Sequence, residues 1–365
     1  MSFPRSSLHL AADIGNKQAT ENIELVTSKT NRSGNVEMAT NKRKVMLPHT
    51  MGQQGVSLIR SRDDIETVIY PAGISQADLL PLLANCAGIA LSGTPFRQTE
   101  MDASTAMQVV ARIGVGYDAV EVPALTARRV PLMVAGTANS TSVAEQAFHL
   151  MIALAKKNAA LHGLVTGGRW TDRHGGLPME LSGKTVLIVG FGRIGTRSAK
   201  RCIGFDMNVL VYDPYVDAAK ISAAECEPVA DLDAALPRAD FVSIHCPKNP
   251  ETVGLFNAVR LALMKKGAFI VNTARGGIID ERALHAALTS GHLAGAGLDV
   301  FEQEPTPVSN DLLSLDTVIA SPHVAGVTVE AVAAMAKATA ENILSVLDGH
   351  PNRDNVINTE VLPQS

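Results

Sequence analysis

Aromatic residues are scarce in this chain, making up 4% of 365 residues, with a single Trp at position 170. The deficit is filled by 29 glycines and by recurrent Ala and Val, a small-residue, β-branched balance that suits helices packed closely on a parallel sheet. Cysteine is also sparse. Cys86, Cys202, Cys226 and Cys246 are dispersed with no C-x-x-C pair, which argues against disulfides and structural zinc and for reduced thiols in a cytoplasmic setting. No charge of one sign dominates. Thirty-two Lys+Arg against 36 Asp+Glu leave a net charge of -4, giving little overall attraction for nucleic acid or an anionic membrane and leaving open only a local patch. No apolar stretch approaches the roughly 18 uninterrupted residues needed to span a bilayer, so a soluble protein is expected. What is present is ordinary globular material, 46% hydrophobic and 19% charged, which excludes disorder and collagen. At about 150 residues per domain, the length favours two domains.

Residues 1–40 are rich in Ser, Thr, Asn and Lys and lack a sustained apolar period, so a mobile arm is expected there. It has no apolar secretory core, and Asp13, Glu21 and Glu24 count against a transit peptide; Met38 offers an alternative start. From Lys44 onward, apolar runs at 45–47, 67–70, 89–92 and 109–113 read as buried strands separated by helices. Ser142-Val-Ala-Glu145 reads as a capping box, followed by an apolar stripe at Val143, Ala147, Leu150, Met151 and Leu154. The Gly-rich stretch 163–176 breaks the pattern. A second series then runs through strands at 185–189, 208–212, 241–245, 268–273, 294–299 and 317–320, with helices from Arg193 and Asp280 and a last helix over 329–347.

Gly190-Phe-Gly192-Arg-Ile-Gly195 is a G-x-G-x-x-G turn between a predicted strand and helix. There Gly190 permits the tight turn, Gly192 lets a pyrophosphate approach the backbone, and Gly195 lets the helix pack closely. Glycine turns without that context are common. Here Asp213 lies 18 residues beyond Gly195 at the end of the next strand, where a carboxylate binds ribose hydroxyls and repels a 2′-phosphate, favouring NAD over NADP. The bland reading of Asp213 is a strand-end turn before Pro214.

Arg275 follows another apolar strand, at the sheet edge where doubly wound folds bind ligands, and its guanidinium fork suits a carboxylate. Alone it reads as a surface salt-bridge partner. Glu304 and His323 fall just after two further strands, on the same edge. Separately they read as a solvated loop carboxylate and a packed or capping histidine. Together the three suit reduction of a 2-keto acid, with His323 as proton donor and the carboxylate favouring its charged form.

With Arg112-Ile-Gly114-Val-Gly116-Tyr-Asp118, Ser142 to Glu145, His245-Cys-Pro247, Asn272 to Gly277, Gly297 to Pro305 and Ser321-Pro-His323, the chain resembles the D-isomer-specific 2-hydroxyacid dehydrogenase family. The resemblance covers about residues 89–340. It implies an α/β fold of two Rossmann-like doubly wound parallel-sheet domains, with a cofactor domain at 144–326 inserted into a discontinuous substrate domain at 41–143 and 327–352, and a tail at 353–365. It implies Arg275, Glu304 and His323 as the catalytic set, and substrate contacts from Ser92, Gly93, Gly114, Val115 and Gly116. It also implies an NAD site completed by Arg193, Ile194, Asp213, Cys246, Thr273, Asp299 and Gly326, no metal, and pairing as homodimers through the cofactor domain. The expected activity is NAD-dependent oxidation of a D-2-hydroxy acid, such as phosphoglycerate, or reduction of hydroxypyruvate or glyoxylate.

Two departures bear on substrate. Members acting on phosphorylated substrates resemble Arg-Ser-x-Thr where this chain has Leu91-Ser92-Gly93-Thr94, with Arg97 nearby as a compensating cation, and Val115 stands where a Thr hydroxyl is frequent. Formate dehydrogenases of the same superfamily carry Gln where Glu304 stands. An alternative of another class is an NAD(H)-sensing module similar to the corepressors built on this fold.

Overall fold

The computed structural model describes residues 42–363, so the expectations of a mobile arm over 1–40 and of a start at Met38 lie outside the described residues. Five strands form the first sheet: β1 (Arg43–Pro48), β2 (Ile65–Tyr70), β3 (Cys86–Leu91), β4 (Val109–Arg112) and β5 (Leu132–Met133), in the order β2-β1-β3-β4-β5. All its strand pairs are parallel. Parallel strands must be covered on both faces, which is why their sequences are continuous apolar runs and not alternating ones. Val45, Leu47, Ala90, Val109 and Ala111 meet Ala336, Ala340, Ile343 and Leu347 of the last helix, Val329–Leu347, on one face. Met46, Ile89, Leu91 and Val110 pack with Tyr70, Leu79 and Phe96 on the other. Each fully buried Val, Leu or Ile side chain among them contributes about 1.5–3 kcal/mol.

The second sheet has seven parallel strands: β6 (Thr185–Val189), β7 (Asn208–Tyr212), β8 (Glu227–Pro228), β9 (Phe241–Ile244), β10 (Phe269–Asn272), β11 (Gly295–Leu298) and β12 (Val318–Ala320). Their order is β12-β11-β10-β9-β6-β7-β8, so the winding reverses between β6 and β9. A crevice opens at such a reversal, outside the carboxyl ends of the strands. The helix Ser140–Ala155 lays Ala147, Leu150, Met151 and Leu154 against Val186, Ile188, Phe241 and Val271 on one face. These two doubly wound α/β layers are the expected fold class.

The ten expected strands are found to within three residues, the two-residue strands β5 and β8 were not expected, and the last helix spans the residues expected. Three helical details differ. The helix expected from the Ser142–Glu145 box starts at Ser140, with Asn139 at its N-cap and no side-chain cap. Tertiary partners take both box residues, Ser142 Oγ lying 2.9 Å from Thr328 Oγ1 and Glu145 pairing with Arg201 at 2.8 Å. The helix expected from Arg193 begins at Gly195. The break expected at 163 starts later, because the helix Asn158–Thr166 runs through Gly163.

Residues 353–363, expected as a tail, are instead part of the first sheet's packing. β5 is an edge whose amides need partners. Ile357 N donates to Leu132 O at 2.9 Å, Leu132 N to Asn358 Oδ1 at 2.8 Å, and Val134 N to Asn355 O at 2.9 Å. Val356, Val361 and Leu362 are buried in the same core. The expected limit at 143/144 also falls inside the helix Ser140–Ala155, not between elements.

Candidate active site

The candidate residues all sit on loops leaving carboxyl ends of strands: Ser92 and Gly93 after β3, Gly114 to Gly116 after β4, Gly190 after β6, Asp213 after β7 and Cys246 after β9. Thr273 and Arg275 follow β10, Asp299 and Glu304 follow β11, and His323 follows β12.

The glycine turn is built as its spacing requires. Gly190 has φ 97°, a conformation that side chains disfavour, and a Cβ there would lie 2.6 Å from Cys246 N. A Cβ on Gly195 would meet Gly190 O at 2.0 Å, so the helix Gly195–Ile203 can pack only on glycine. Gly192 faces open space. A cradle closed behind Gly190 and open above Gly192 is the shape a pyrophosphate needs at a helix N-terminus. Ile194 is the N-cap of that helix. Asp213 supports the turn directly, because Oδ2 accepts the Phe191 amide at 2.7 Å and Oδ1 that of Tyr215 at 2.9 Å. The Arg193 guanidinium points away from the turn, toward Gly136 O at 3.1 Å and Asp354 O at 3.2 Å. Beside it lies a cavity of about 580 Å³ lined by Gly136, Thr137, Arg193, Asn352 and Asp354, which does not reach Arg275, Glu304 or His323.

Further along the edge, Thr273 Oγ1 is buried without a partner. A buried hydroxyl of that kind is costly unless a ligand or water completes it. Asp299 is fully buried and accepts Ser321 Oγ at 2.6 Å and the amides of Val324 and Ala325 at 2.9 Å each. These donors fix the loop that carries His323 and Gly326. A Cβ on Gly326 would meet Asn139 Nδ2 at 2.7 Å, and Asn139 Oδ1 is itself buried without a partner. Burial pushes the half-buried Cys246 thiol up to about 11, which keeps it protonated and unreactive near neutrality.

His323 lies in the left-handed region at φ 52°, with its amide donating to Asp299 O at 2.8 Å. Its Nδ1 is 2.7 Å from Glu304 Oε2, while Glu304 Oε1 accepts the Phe301 amide at 3.0 Å. A carboxylate at Nδ1 fixes that nitrogen as the donor and leaves Nε2 to exchange a proton with a ligand. Arg275 reaches the other sheet, donating Nε–H to Asp118 Oδ2 at 2.9 Å and Nη1–H to Ala274 O at 2.7 Å. A Cβ at Gly116 would fall 1.7 Å from Arg275 Nη2, so the guanidinium approaches that loop only because residue 116 is glycine. The loop is braced from below, Arg112 Nε donating to Gly116 O at 2.8 Å and Ala135 N to Gly114 O at 2.8 Å. Burial lowers the Arg112 guanidinium below the usual arginine range, and its buried Nη1 has no partner. Among the described residues no hydrogen bond joins Arg275 to Glu304 or His323.

Asp118, Asn139 and Ser321 belong to this site and had no assigned role in the sequence. Asp118 ends the Gly114-Val-Gly116 motif and Ser321 opens Ser-Pro-His, so position within a motif was the available signal; Asn139 carried none. Among the described residues no cluster of His, Cys, Asp and Glu could hold a metal ion, and no helix is long and apolar enough to cross a membrane.

A family model described as D-isomer specific 2-hydroxyacid dehydrogenase, NAD binding domain, matches residues 148–325. The chain is similar to D-3-phosphoglycerate dehydrogenase of Methanocaldococcus jannaschii, 36% identical over 322 residues that cover 88% of this chain and 60% of that one. It is 39% identical over 298 residues to D-3-phosphoglycerate dehydrogenase of Mycobacterium bovis, covering 80% and 54%. A glyoxylate reductase structure from Paecilomyes thermophila superposes with a TM-score of 0.78 at 26% identity, over 87% of this chain and 98% of that chain. The chain thus spans little more than half the length of the two phosphoglycerate dehydrogenases.

Proposed function

Because the chain belongs to the D-isomer specific 2-hydroxyacid dehydrogenase family, we propose that it is an NAD-dependent dehydrogenase of small D-2-hydroxy acids, equally a reductase of 2-keto acids. The observation that carries this reading is the 2.7 Å contact of His323 Nδ1 with Glu304, on the sheet edge that also bears Arg275 and the glycine turn. The open face at Gly192 and the unpartnered Thr273 hydroxyl fit a dinucleotide. Gly190, Gly192 and Gly195 would hold its pyrophosphate, Asp213 its ribose, and Ile194, Cys246, Thr273, Asp299 and Gly326 the remainder; Arg193 joins them by leaving Gly136 O and Asp354 O. When bound, the cofactor supplies the hydride that C2 of the keto acid takes up.

The chain's own residues do the rest. Arg275 binds the substrate carboxylate through its free N–H groups and, as a fixed cation, polarises the adjacent carbonyl. The backbone of Gly114, Val115 and Gly116, with Ser92 and Gly93, closes the other side. As C2 becomes tetrahedral, its oxygen gains charge, and His323 passes its Nε2 proton there. Glu304 holds the ring in place through Nδ1. In the oxidative direction the neutral Nε2 removes the same proton.

The relatives' names point to a phosphorylated acid, whereas Leu91 is buried and apolar where a cation is expected for one. Arg97 is exposed at the N-cap of the helix Gln98–Asp102, its amide held by Glu100 Oε2 at 2.7 Å. Glyoxylate, hydroxypyruvate, pyruvate and 3-phosphohydroxypyruvate with NADH and NADPH decide both substrate and cofactor. The reading expects NADH-dependent turnover of at least one of them, with NADPH poorer. Tight NADH binding with no turnover of any would instead support the sensing module.

We also propose that two copies pair. The helix Asn158–Thr166 buries none of its residues; its Val165 is 60% exposed, and Trp170 and Leu177 that follow it are 64% and 68% exposed. Exposed large apolar side chains grouped along one stretch of chain suit cover by a partner, and a second copy through the cofactor domain is the proposed occupant.

A further inference from the structure

We propose that Asp118, on the loop after β4, is a positioning residue that aims Arg275 at the substrate carboxylate; the assignment rests on the dehydrogenase reading above. Arg275 has five N–H donors. Nε–H is held by Asp118 Oδ2 at 2.9 Å and one Nη1–H by Ala274 O at 2.7 Å, which leaves both Nη2–H groups and the second Nη1–H unengaged by these bonds. These remaining donors are the ones left to bind a substrate carboxylate.

Three further observations fit an orienting role. Gly116 leaves room for Nη2 against the backbone, so the same loop shapes both the seat and the anchor of the guanidinium. Arg112 fixes that loop through Gly116 O at 2.8 Å, so Asp118 is presented from a braced turn. Burial opposes ionisation of Asp118, yet the charge and hydrogen bond of Arg275, with Lys248 behind, hold it below the ordinary carboxylate range. The pair is half-exposed, and as a salt bridge it contributes little stability. Its effect is geometric. Arg275 comes from the second sheet and Asp118 from the first, so the fork is aimed only when the two sheets meet, and a misplacement of about 1 Å at such a group can cost about 100-fold in rate.

Charge and orientation make opposite predictions. Were Asp118 only a counter-charge, its removal would leave Arg112, Lys248 and Arg275 to attract the anionic substrate more strongly, and KM would fall. As an anchor for Nε–H, its removal frees the fork, and KM rises. The experiment measures KM, kcat and NADH affinity for the wild type, Asp118→Ala and Asp118→Asn, using whichever keto acid turns over fastest. Asn keeps an oxygen acceptor for Nε–H and is nearly isosteric, so it also guards against a folding defect. The expected result is a KM raised about 10- to 100-fold in Asp118→Ala, NADH affinity within about twofold, and recovery of most of the loss in Asp118→Asn. A KM unchanged or lowered in Asp118→Ala, equal losses in both variants, or a matching fall in NADH affinity overturns the assignment. Absence of turnover in the wild type is a different failure: it overturns the dehydrogenase reading itself, and this assignment with it.

Discussion

In the proposed reaction His323, Glu304 and Arg275 divide the chemistry among proton transfer, ring orientation and carboxylate binding, and each task has its own kinetic signature. Replacing His323 with Ala removes the proton donor at the C2 oxygen while leaving the glycine turn intact. Positioned acid–base groups contribute about 10²- to 10⁴-fold, so kcat in keto acid reduction is expected to fall by about that factor with NADH affinity, read by fluorescence titration, within about twofold. Parallel loss of both quantities would assign His323 to cofactor binding instead. His245 is the contrasting histidine. Its ring is half-buried, with Nε2 2.9 Å from Ser243 Oγ and Nδ1 buried without a partner, and desolvation lowers it from 6.5 to about 4. The unfolded chain therefore binds a proton that the folded one refuses between those values, so stability is full above about pH 6.5 and falls toward pH 4, by on the order of 3 kcal/mol. Urea unfolding across that window should show a shallower pH slope in His245→Asn than in the wild type, and identical slopes would mean the ring is not buried neutral.

The turn from β6 to the helix Gly195–Ile203 is held by the neighbouring strand's aspartate as much as by its glycines. Asp213→Ala removes the acceptor for the Phe191 amide together with the ribose-binding carboxylate. NADH affinity is expected to drop about tenfold or more, since charge-assisted hydrogen bonds are worth about 1.5–3 kcal/mol, and the preference over NADPH to narrow; titration with both cofactors would expose an unchanged preference. This element was legible because a strand, three spaced glycines and a strand-end carboxylate are local features. Ten of the twelve strands were legible for the same reason, as covered parallel strands read as unbroken apolar runs, while the two-residue strands β5 and β8 were too short to show one. What escaped was set by distant partners. Ser142 and Glu145 have capping-box spacing, but Thr328 and Arg201 claim their side chains and the helix starts earlier. Residues 353–363 look like a tail until the edge of β5 needs acceptors. Asp118 was visible as part of a motif, but its partner lies 157 positions away in the chain.

At the scale of the molecule, two parallel sheets bring their carboxyl-end loops to one site, one supplying cofactor turn and chemistry, the other Gly114 to Asp118. Pairing of copies makes its own prediction at this scale. In sedimentation equilibrium the wild type is expected at the mass of two chains, and Val165→Asp with Leu177→Asp at the mass of one; a wild-type monomer would contradict the proposed pairing. The proposed reaction is reduction of a 2-keto acid by NADH to the D isomer at this edge. Its most direct test incubates the full chain with NADH and the phosphorylated or unphosphorylated hydroxypyruvate, following loss of NADH and the chirality of the acid formed. The account predicts one D-2-hydroxy acid formed for each NADH consumed, and abolition of both by Arg275→Ala. Formation of the L isomer, or no NADH consumption with any keto acid of the panel, would contradict it.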